Sequence, residues 1–214
     1  MTAKPPRPPG VYFALSERIE AELKERGSRF LAIVSPVREE SDVTARLGEI
    51  RTRYRDATHH CWAWRTGSPF QDPVQERSSD DGEPAGTAGK PILLALGELS
   101  DTLAVVVRWY GGTKLGKGGL ARAYGGAVRL ALDGGETVCR FPTETVELVV
   151  PYDAVGVVKR AIDPPEIDLI DEAYGADVTL VLKVARHRIG SFAEALLARG
   201  VAWPRNQPGR ERTD

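Results

Sequence analysis

At 214 residues, with 42% hydrophobic and 28% charged side chains and a formal net charge of -1, the chain has the composition of a globular protein with one large or two smaller domains. That balance excludes a mainly disordered or fibrous chain and gives no overall pull towards nucleic acid, so any such contact must come from a local basic patch. The two cysteines, Cys61 and Cys139, form neither a secreted disulfide framework nor a CxxC metal knuckle, and no apolar run approaches the ~20 residues of a membrane span, so the expected setting is the cytoplasm with reduced thiols.

Pro5, Pro6, Pro8 and Pro9 suit neither helix nor central strand, and residues 1–15 are expected to be a disordered, proline-rich tail. Ser16 followed by Ile19 and Leu23, with Glu17, Glu20 and Glu22 early and Gly27 at the end, predicts a short capped helix or turn. Phe30, Leu31, Ile33 and Val34 predict a strand stopped by Pro36, and Val43, Leu47, Ile50 and Tyr54 then recur at helical spacing over Ser41 to Tyr54. Thr58 to Thr66 reads as a strand and Pro91 to Gly97 as a helix or buried strand. Thr102 to Tyr110, with Val105, Val106 and Val107, reads as a fully buried strand, and Leu120 to Leu132 as a helix closed by Asp133-Gly134-Gly135.

After Cys139 the pattern restarts. Glu144 to Val150 predicts a strand, Tyr152 to Ala161 a helix, Ile167 to Ala173 and Asp177 to Ala185 two strands, and Ile189 to Arg199 a helix, with Val201 to Trp203 as one more short strand. The order β-α-β-β-α fits a ferredoxin-like module. The boundary falls near Arg140 to Pro142, giving domains over 16–140 and 143–204 in an α+β protein, followed by a polar, disordered tail over 205–214.

Two glycine-rich segments stand out. Gly111-Gly112-Thr113-Lys114-Leu115-Gly116-Lys117-Gly118 matches G-x-x-x-x-G-K between a predicted strand and a predicted helix, the setting of a phosphate loop. Gly118 occupies the position where a magnesium-liganding Ser or Thr is required, which argues against a nucleoside triphosphatase. Backbone N–H groups, Lys114, Lys117 and a helix dipole still suit an anion, and a flexible strand-to-helix turn with solvated lysines is the competing reading. In Ser78 to Lys90, the carboxylates of Asp80, Asp81 and Glu83 lie within four positions and need cationic partners. They could hold a divalent cation, cap the helix containing Ile92, or pair with Lys114, Lys117 or Arg108.

His59 and Cys61 share one face of a strand, a placement that suits packing better than an in-line nucleophile pair, and three histidines with two scattered cysteines do not make a zinc site. Arg51, Arg53 and Arg55, with Arg46 and Arg29, form either a phosphate-binding stripe or a solvated helix end.

Ser28-Arg29-Phe30-Leu31, Asp56-Ala57-Thr58-His59, Ser79-Asp80-Asp81-Gly82-Glu83-Pro84 with Gly86-Thr87-Ala88-Gly89, and Val107 to Gly116 are four ordered motifs, and together they resemble the IMPACT/YigZ family over about residues 16 to 134. The resemblance implies an amino-terminal domain folded like domain four of elongation factor G and the ribosomal S-five protein, and a ferredoxin-like second domain of the bacterial YigZ type. It implies a setting in translation, which eukaryotic members regulate by competing for a partner in the amino-acid starvation response. Those members carry an extra recognition domain that this sequence lacks, so that partner does not transfer. His60 stands where the family often has asparagine, and no catalytic residues carry over.

The expected function is that of a non-catalytic binding protein of translation or RNA metabolism. Arg108, Lys114 and Lys117, with the backbone of Gly111, Gly112, Thr113 and Gly116, would contact phosphates. Asp80, Asp81 and Glu83 would act as an acidic clamp, with Arg29, Arg53 and His59 as secondary candidates. The partners would be RNA or the ribosome, or a protein of the translation apparatus, with no metal, cofactor or membrane. An enzyme acting on a phosphorylated small molecule and a protein-interaction scaffold remain as alternatives.

Overall fold

The structure is a computed structural model and describes residues 10–68 and 74–204. The chain divides into two compact units, Val11–Arg140 and a second one from Phe141 onward.

The first unit is built on a five-stranded antiparallel sheet. Its strands are β2 (Ile19–Glu25), β3 (Ser28–Pro36), β4 (His59–Thr66), β5 (Gln75–Ser79) and β6 (Thr102–Trp109), in the spatial order β2-β3-β6-β4-β5. Central β6 is apolar on both faces because both are covered, the situation that favours a continuous run of valines over alternation. One face carries Ile33, Val105 and Val107 against Val43 and Ile50 of helix α1 (Glu40–Arg53). The opposite face carries Phe30, Cys61 and Val106 against α2 (Gly89–Ala95) and α3 (Gly116–Leu132). In α3, Leu120, Tyr124, Ala127, Val128 and Ala131 recur at three- and four-residue spacing and form the buried stripe. The Tyr124 ring meets Phe30 edge-on at 5.1 Å.

A separate two-stranded ribbon pairs β1 (Tyr12–Leu15) with β7 (Thr137–Arg140). Asp101 holds that end of the unit by accepting from Tyr12 Oη at 2.8 Å and from the Gly67 N–H at 3.0 Å.

Three expectations need correction in this unit. Residues 16–27 form no helix: β2 occupies Ile19–Glu25, and Ile19, Ala21 and Leu23 are its sheltered side while Glu20, Glu22 and Lys24 face water. Tyr12–Leu15 lies inside the segment expected to be a tail, yet it is a paired strand; residues 1–9 lie outside the described residues. Helix α3 begins at Gly116 rather than Leu120, so Gly116 and Lys117 form its first turn.

The second unit has β8 (Thr143–Val150), α4 (Tyr152–Arg160), β9 (Ile167–Tyr174), β10 (Val178–Ala185) and α5 (Ile189–Leu197). Its sheet is antiparallel in the order β8-β10-β9. Leu148, Val150, Leu180, Leu182 and Val184 point towards Val158 of α4 and Phe192 and Leu196 of α5. The other face carries Thr145, Glu147, Val149, Thr179, Val181 and Lys183, with no aromatic ring among them. Val201 to Trp203 is not a strand: Val201 is buried, and the Trp203 ring packs edge-on against Phe192 at 5.6 Å. Residues 205–214, expected to be a disordered tail, lie outside the described residues.

Candidate functional site

Both glycine-rich segments belong to one end of the first unit's sheet, where β3 and β4 begin and β6 ends. The acidic segment is folded by its own carboxylates. Asp80 Oδ1 accepts from the N–H groups of Ala88 (2.9 Å) and Gly89 (2.8 Å), and its Oδ2 from Gly86 (2.8 Å). Asp80 thereby caps α2 from outside the helix, satisfying donors that have no partner within it. Desolvation pushes the Asp80 carboxyl up, but the hydrogen bonds from Gly86, Gly89 and Ala88 outweigh it and hold the group below its ordinary value.

Asp81, at a φ of 44°, accepts from the His60 N–H at 2.7 Å and from Arg51 at 2.9 Å. The Asp81 carbonyl accepts a hydrogen bond from His59 Nδ1–H at 2.7 Å.

Glu83 turns inward. It is 8% exposed, pairs with the Arg108 guanidinium and accepts from Tyr124 Oη at 2.7 Å. Burial, with Cys61 and Glu83 beside it, pushes the Tyr124 hydroxyl far up, so it stays a donor. Arg108 is 4% exposed, and its second terminal nitrogen donates to Ser28 Oγ at 3.3 Å. Of the three carboxylates, Glu83 alone meets the strand that leads into the lysine loop, through Arg108, while Asp80 is held by backbone N–H groups and Asp81 by the His60 N–H and Arg51. Among the described residues none pairs with Lys114 or Lys117. Arg108, expected to face a phosphate, is enclosed in the protein.

Cys61 is fully buried and hydrogen-bonded, which suits packing rather than attack on a ligand. Burial pushes its thiol up to about 12, Sγ donates to the Asp80 carbonyl at 3.0 Å, and His59 is engaged elsewhere. Alkylation at pH 8 is expected to modify the exposed Cys139 alone in the native chain and Cys61 only after denaturation, with peptide mapping as the check.

The loop after β6 is anchored by backbone contact. A Cβ on Gly111 would lie 1.9 Å from the Gly27 carbonyl carbon, and the Gly111 N–H donates to Ser28 Oγ at 3.2 Å. Gly111→Ala is expected to lower stability by on the order of 3 kcal/mol, because backbone rather than a flexible side chain must move. Thermal unfolding tests this. Beyond that anchor, Gly112, Thr113, Lys114, Gly116 and Lys117 are exposed. Helix α3 has no side-chain cap and no acid in its first turn, and among the described residues neither lysine makes an ion pair.

On the α1 side of the same end, the Arg29 guanidinium lies 3.7 Å from the Trp109 ring centroid and that of Arg53 lies 5.3 Å from Tyr54. No group of three or more His, Cys, Asp or Glu side chains suited to a metal ion occurs among the described residues. No helix among them is long and apolar enough to cross a membrane.

The Impact N-terminal domain model matches residues 26–132. An IMPACT family member of Haemophilus influenzae is 37% identical over 179 residues, covering 83% of this chain and 85% of that protein. The chain belongs to the IMPACT family. The IMPACT family member YigZ of Escherichia coli is 36% identical over 171 residues, 79% of this chain and 83% of that one. A crystal structure described as that of a hypothetical protein superposes with a TM-score of 0.65 at 30% identity, covering 92% of this chain and 99% of the other. The matched IMPACT span includes Ser28, the acidic segment, Arg108, the lysine loop and Tyr124, whereas β1, β7 and the second unit lie outside it.

Sequence reasoning missed Tyr124 as a polar partner, because its position in a helical apolar stripe signals only core. Ser28 and Trp109 sit within the family motifs, but nothing in their spacing assigned them a contact.

Proposed function

We propose that this IMPACT family member is a non-catalytic RNA- or ribosome-binding protein of the cytoplasm with a role in translation regulation. The observation that carries the reading is a division of charge at the site. Asp80, Asp81 and Glu83 are saturated by backbone N–H groups, Arg51, Arg108 and Tyr124, while Lys114, Lys117 and the uncapped amino terminus of α3 face solvent. Outward cations on a rigid base suit a polyanion. Asp80, Asp81, Glu83, His59 and Cys61 each already have partners within the protein, which supports a binding role over a catalytic one at this place.

Arg108 acts here as the anchor of the loop rather than as a phosphate ligand. We place the first unit with the fold of elongation factor G domain four and the ribosomal S-five protein, and the second with ferredoxin-like modules. The β-α-β-β-α order and the β8-β10-β9 sheet support the second assignment. The family's place in translation control supports a ribosomal partner, RNA or protein.

Anisotropy titrations with ribosomal RNA fragments test the reading. Replacing Lys114 and Lys117 together by alanine is expected to weaken binding and reduce the salt slope by about 1.4, at ~0.7 per phosphate contact on single strands. An unaltered affinity and slope in a variant with an unchanged melt, or no binding by the parent protein at low salt, would sink it.

A further inference from the structure

The site's second face carries a row of planar groups that the phosphate-binding reading does not use. The β2–β3 register sets Lys24 opposite Arg29, and the β3–β6 register sets Arg29 opposite Trp109. Directly opposed residues share a face, so the three side chains form a row across three strands, about 10 Å long at ~4.8 Å per strand. Past Trp109 the row continues off the sheet. The Tyr54 ring meets Trp109 edge-on at 5.8 Å, and Arg53 lies over Tyr54. The order is Arg29, Trp109, Tyr54, Arg53, with a guanidinium plane at each end.

The row is held in place before any partner arrives. Trp109 Nε1 donates to Asp56 Oδ2 at 2.8 Å. The Tyr54 carbonyl accepts from His60 Nε2 and from the Ala57 N–H, both at 3.0 Å. Fixed aromatic groups recognise a ligand with little loss of side-chain entropy.

The end groups are not consumed by the protein. The Arg29 side chain is 43% exposed although its Nε is buried and makes no hydrogen bond; that Nε pairs loosely with Glu22 at 3.6 Å, and Glu22 also pairs with Lys24 at 3.7 Å. Arg29 is restrained by stacking on Trp109 and by this long ion pair, in contrast to Arg108, which is locked by Glu83 and Ser28. Arg53 and Arg55 are exposed and make no ion pair among the described residues. Glu22 and Asp56 offset part of the charge of Lys24, Arg29, Arg53 and Arg55, leaving a positive strip.

We infer that this strip binds unpaired nucleobases of a single-stranded nucleic acid, which stack on the outer planes of Arg29 and Arg53 while Lys24 and Arg55 take flanking phosphates. The inference rests on the RNA-binding reading above and narrows it to single strands. Planar cations backed by aromatic rings offer a stacking partner to any base whose face is free, and in a duplex those faces are occupied.

The test uses the full chain and three fluorescent probes of equal length: an adenine oligoribonucleotide, the same strand with central abasic positions, and a duplex. The double variant Arg29→Lys with Arg53→Lys keeps both charges and removes both planes. It is expected to weaken the adenine strand about tenfold while leaving the abasic strand, the duplex and every salt slope unchanged. Equal loss on all three probes, or no loss on any, would overturn it. The Lys114→Ala, Lys117→Ala protein separates the two readings. If that variant weakens all three probes and the arginine variant weakens none, the strip is discarded and the phosphate loop stands. If the parent protein binds none of the probes at low salt, both fall.

Discussion

Replacing Glu83 by alanine is expected to destabilise the first unit by about 3 to 5 kcal/mol, the cost of removing one partner from a buried ion pair. The residues left behind explain the size. Arg108 is 4% exposed and would keep its charge with Ser28 Oγ, at 3.3 Å, as its one remaining side-chain hydrogen-bond partner among the described residues, beside the Phe30 and Tyr110 rings. Tyr124, whose hydroxyl is pushed far up, would lose its acceptor inside the core. For a unit of this size the loss corresponds to a fall in melting temperature on the order of 10 °C. Glu83→Gln keeps an acceptor for Tyr124 but not the charge, and should fall between. Combining Glu83→Gln with Arg108→Met removes the uncompensated cation and should recover most of the loss. A Glu83→Ala protein that unfolds in urea within about 1 kcal/mol of the parent, the usual worth of an exposed pair, would show that the pair is not buried in solution.

The second large effect is expected at Asp80. Alanine there leaves the N–H groups of Ala88, Gly89 and Gly86 without their acceptor, and the first two are buried. Unpaired buried donors cost about 1 to 3 kcal/mol each, so a loss of about 3 kcal/mol is expected, with fraying of α2. The same contacts set a pH dependence. The folded-state value of Asp80 is depressed, so its contribution is fully present above the unfolded value near ~3.9 and disappears as pH falls through the lower folded value. Denaturant titrations of parent and Asp80→Ala proteins should differ at pH 7 and converge in strong acid. A difference that stays constant across that range would remove the carboxylate from the explanation.

Most of the fold was legible where periodicity is unambiguous. Val105 to Val107 could only be a strand buried on both faces, and the helical spacing of Val43, Leu47 and Ile50 matched α1. Ile19 and Leu23 misled because they satisfy two periods at once. Four-residue spacing beside Glu17, Glu20 and Glu22 suggests a helix, while Ile19, Ala21 and Leu23 alternate as a strand does, and pairing with β3 decides for the strand. Gln75–Ser79 gave no signal, because an exposed edge strand made of Gln, Glu, Arg and Ser has no apolar face to alternate. At the site, cationic partners were expected for all three carboxylates, with Arg108 among three candidates; Asp81 and Glu83 take them, whereas Asp80 follows the helix-cap alternative and is met by backbone N–H groups. Which one Glu83 selects depends on Tyr124 and Ser28 arriving from other elements, and no local pattern encodes that. Gly111 read as a phosphate-loop glycine for the same reason: its closeness to Gly27 is a fact of the folded backbone.

The ribbon of β1 and β7 has a consequence for biosynthesis. Ser16 bonds to Glu136 across 120 residues, so among the described strands the first to be made is also the one that waits longest for its partner. At the usual elongation rates, on the order of ten seconds separate the emergence of the two strands from the ribosome. During that interval Leu15, which ends up 1% exposed, has neither its ribbon partner nor the carboxy-terminal turn of α3 to cover it. The ribbon of the first unit therefore cannot close before residue 137 has been made, and pausing or truncation short of that point leaves β1 without the strand that pairs it.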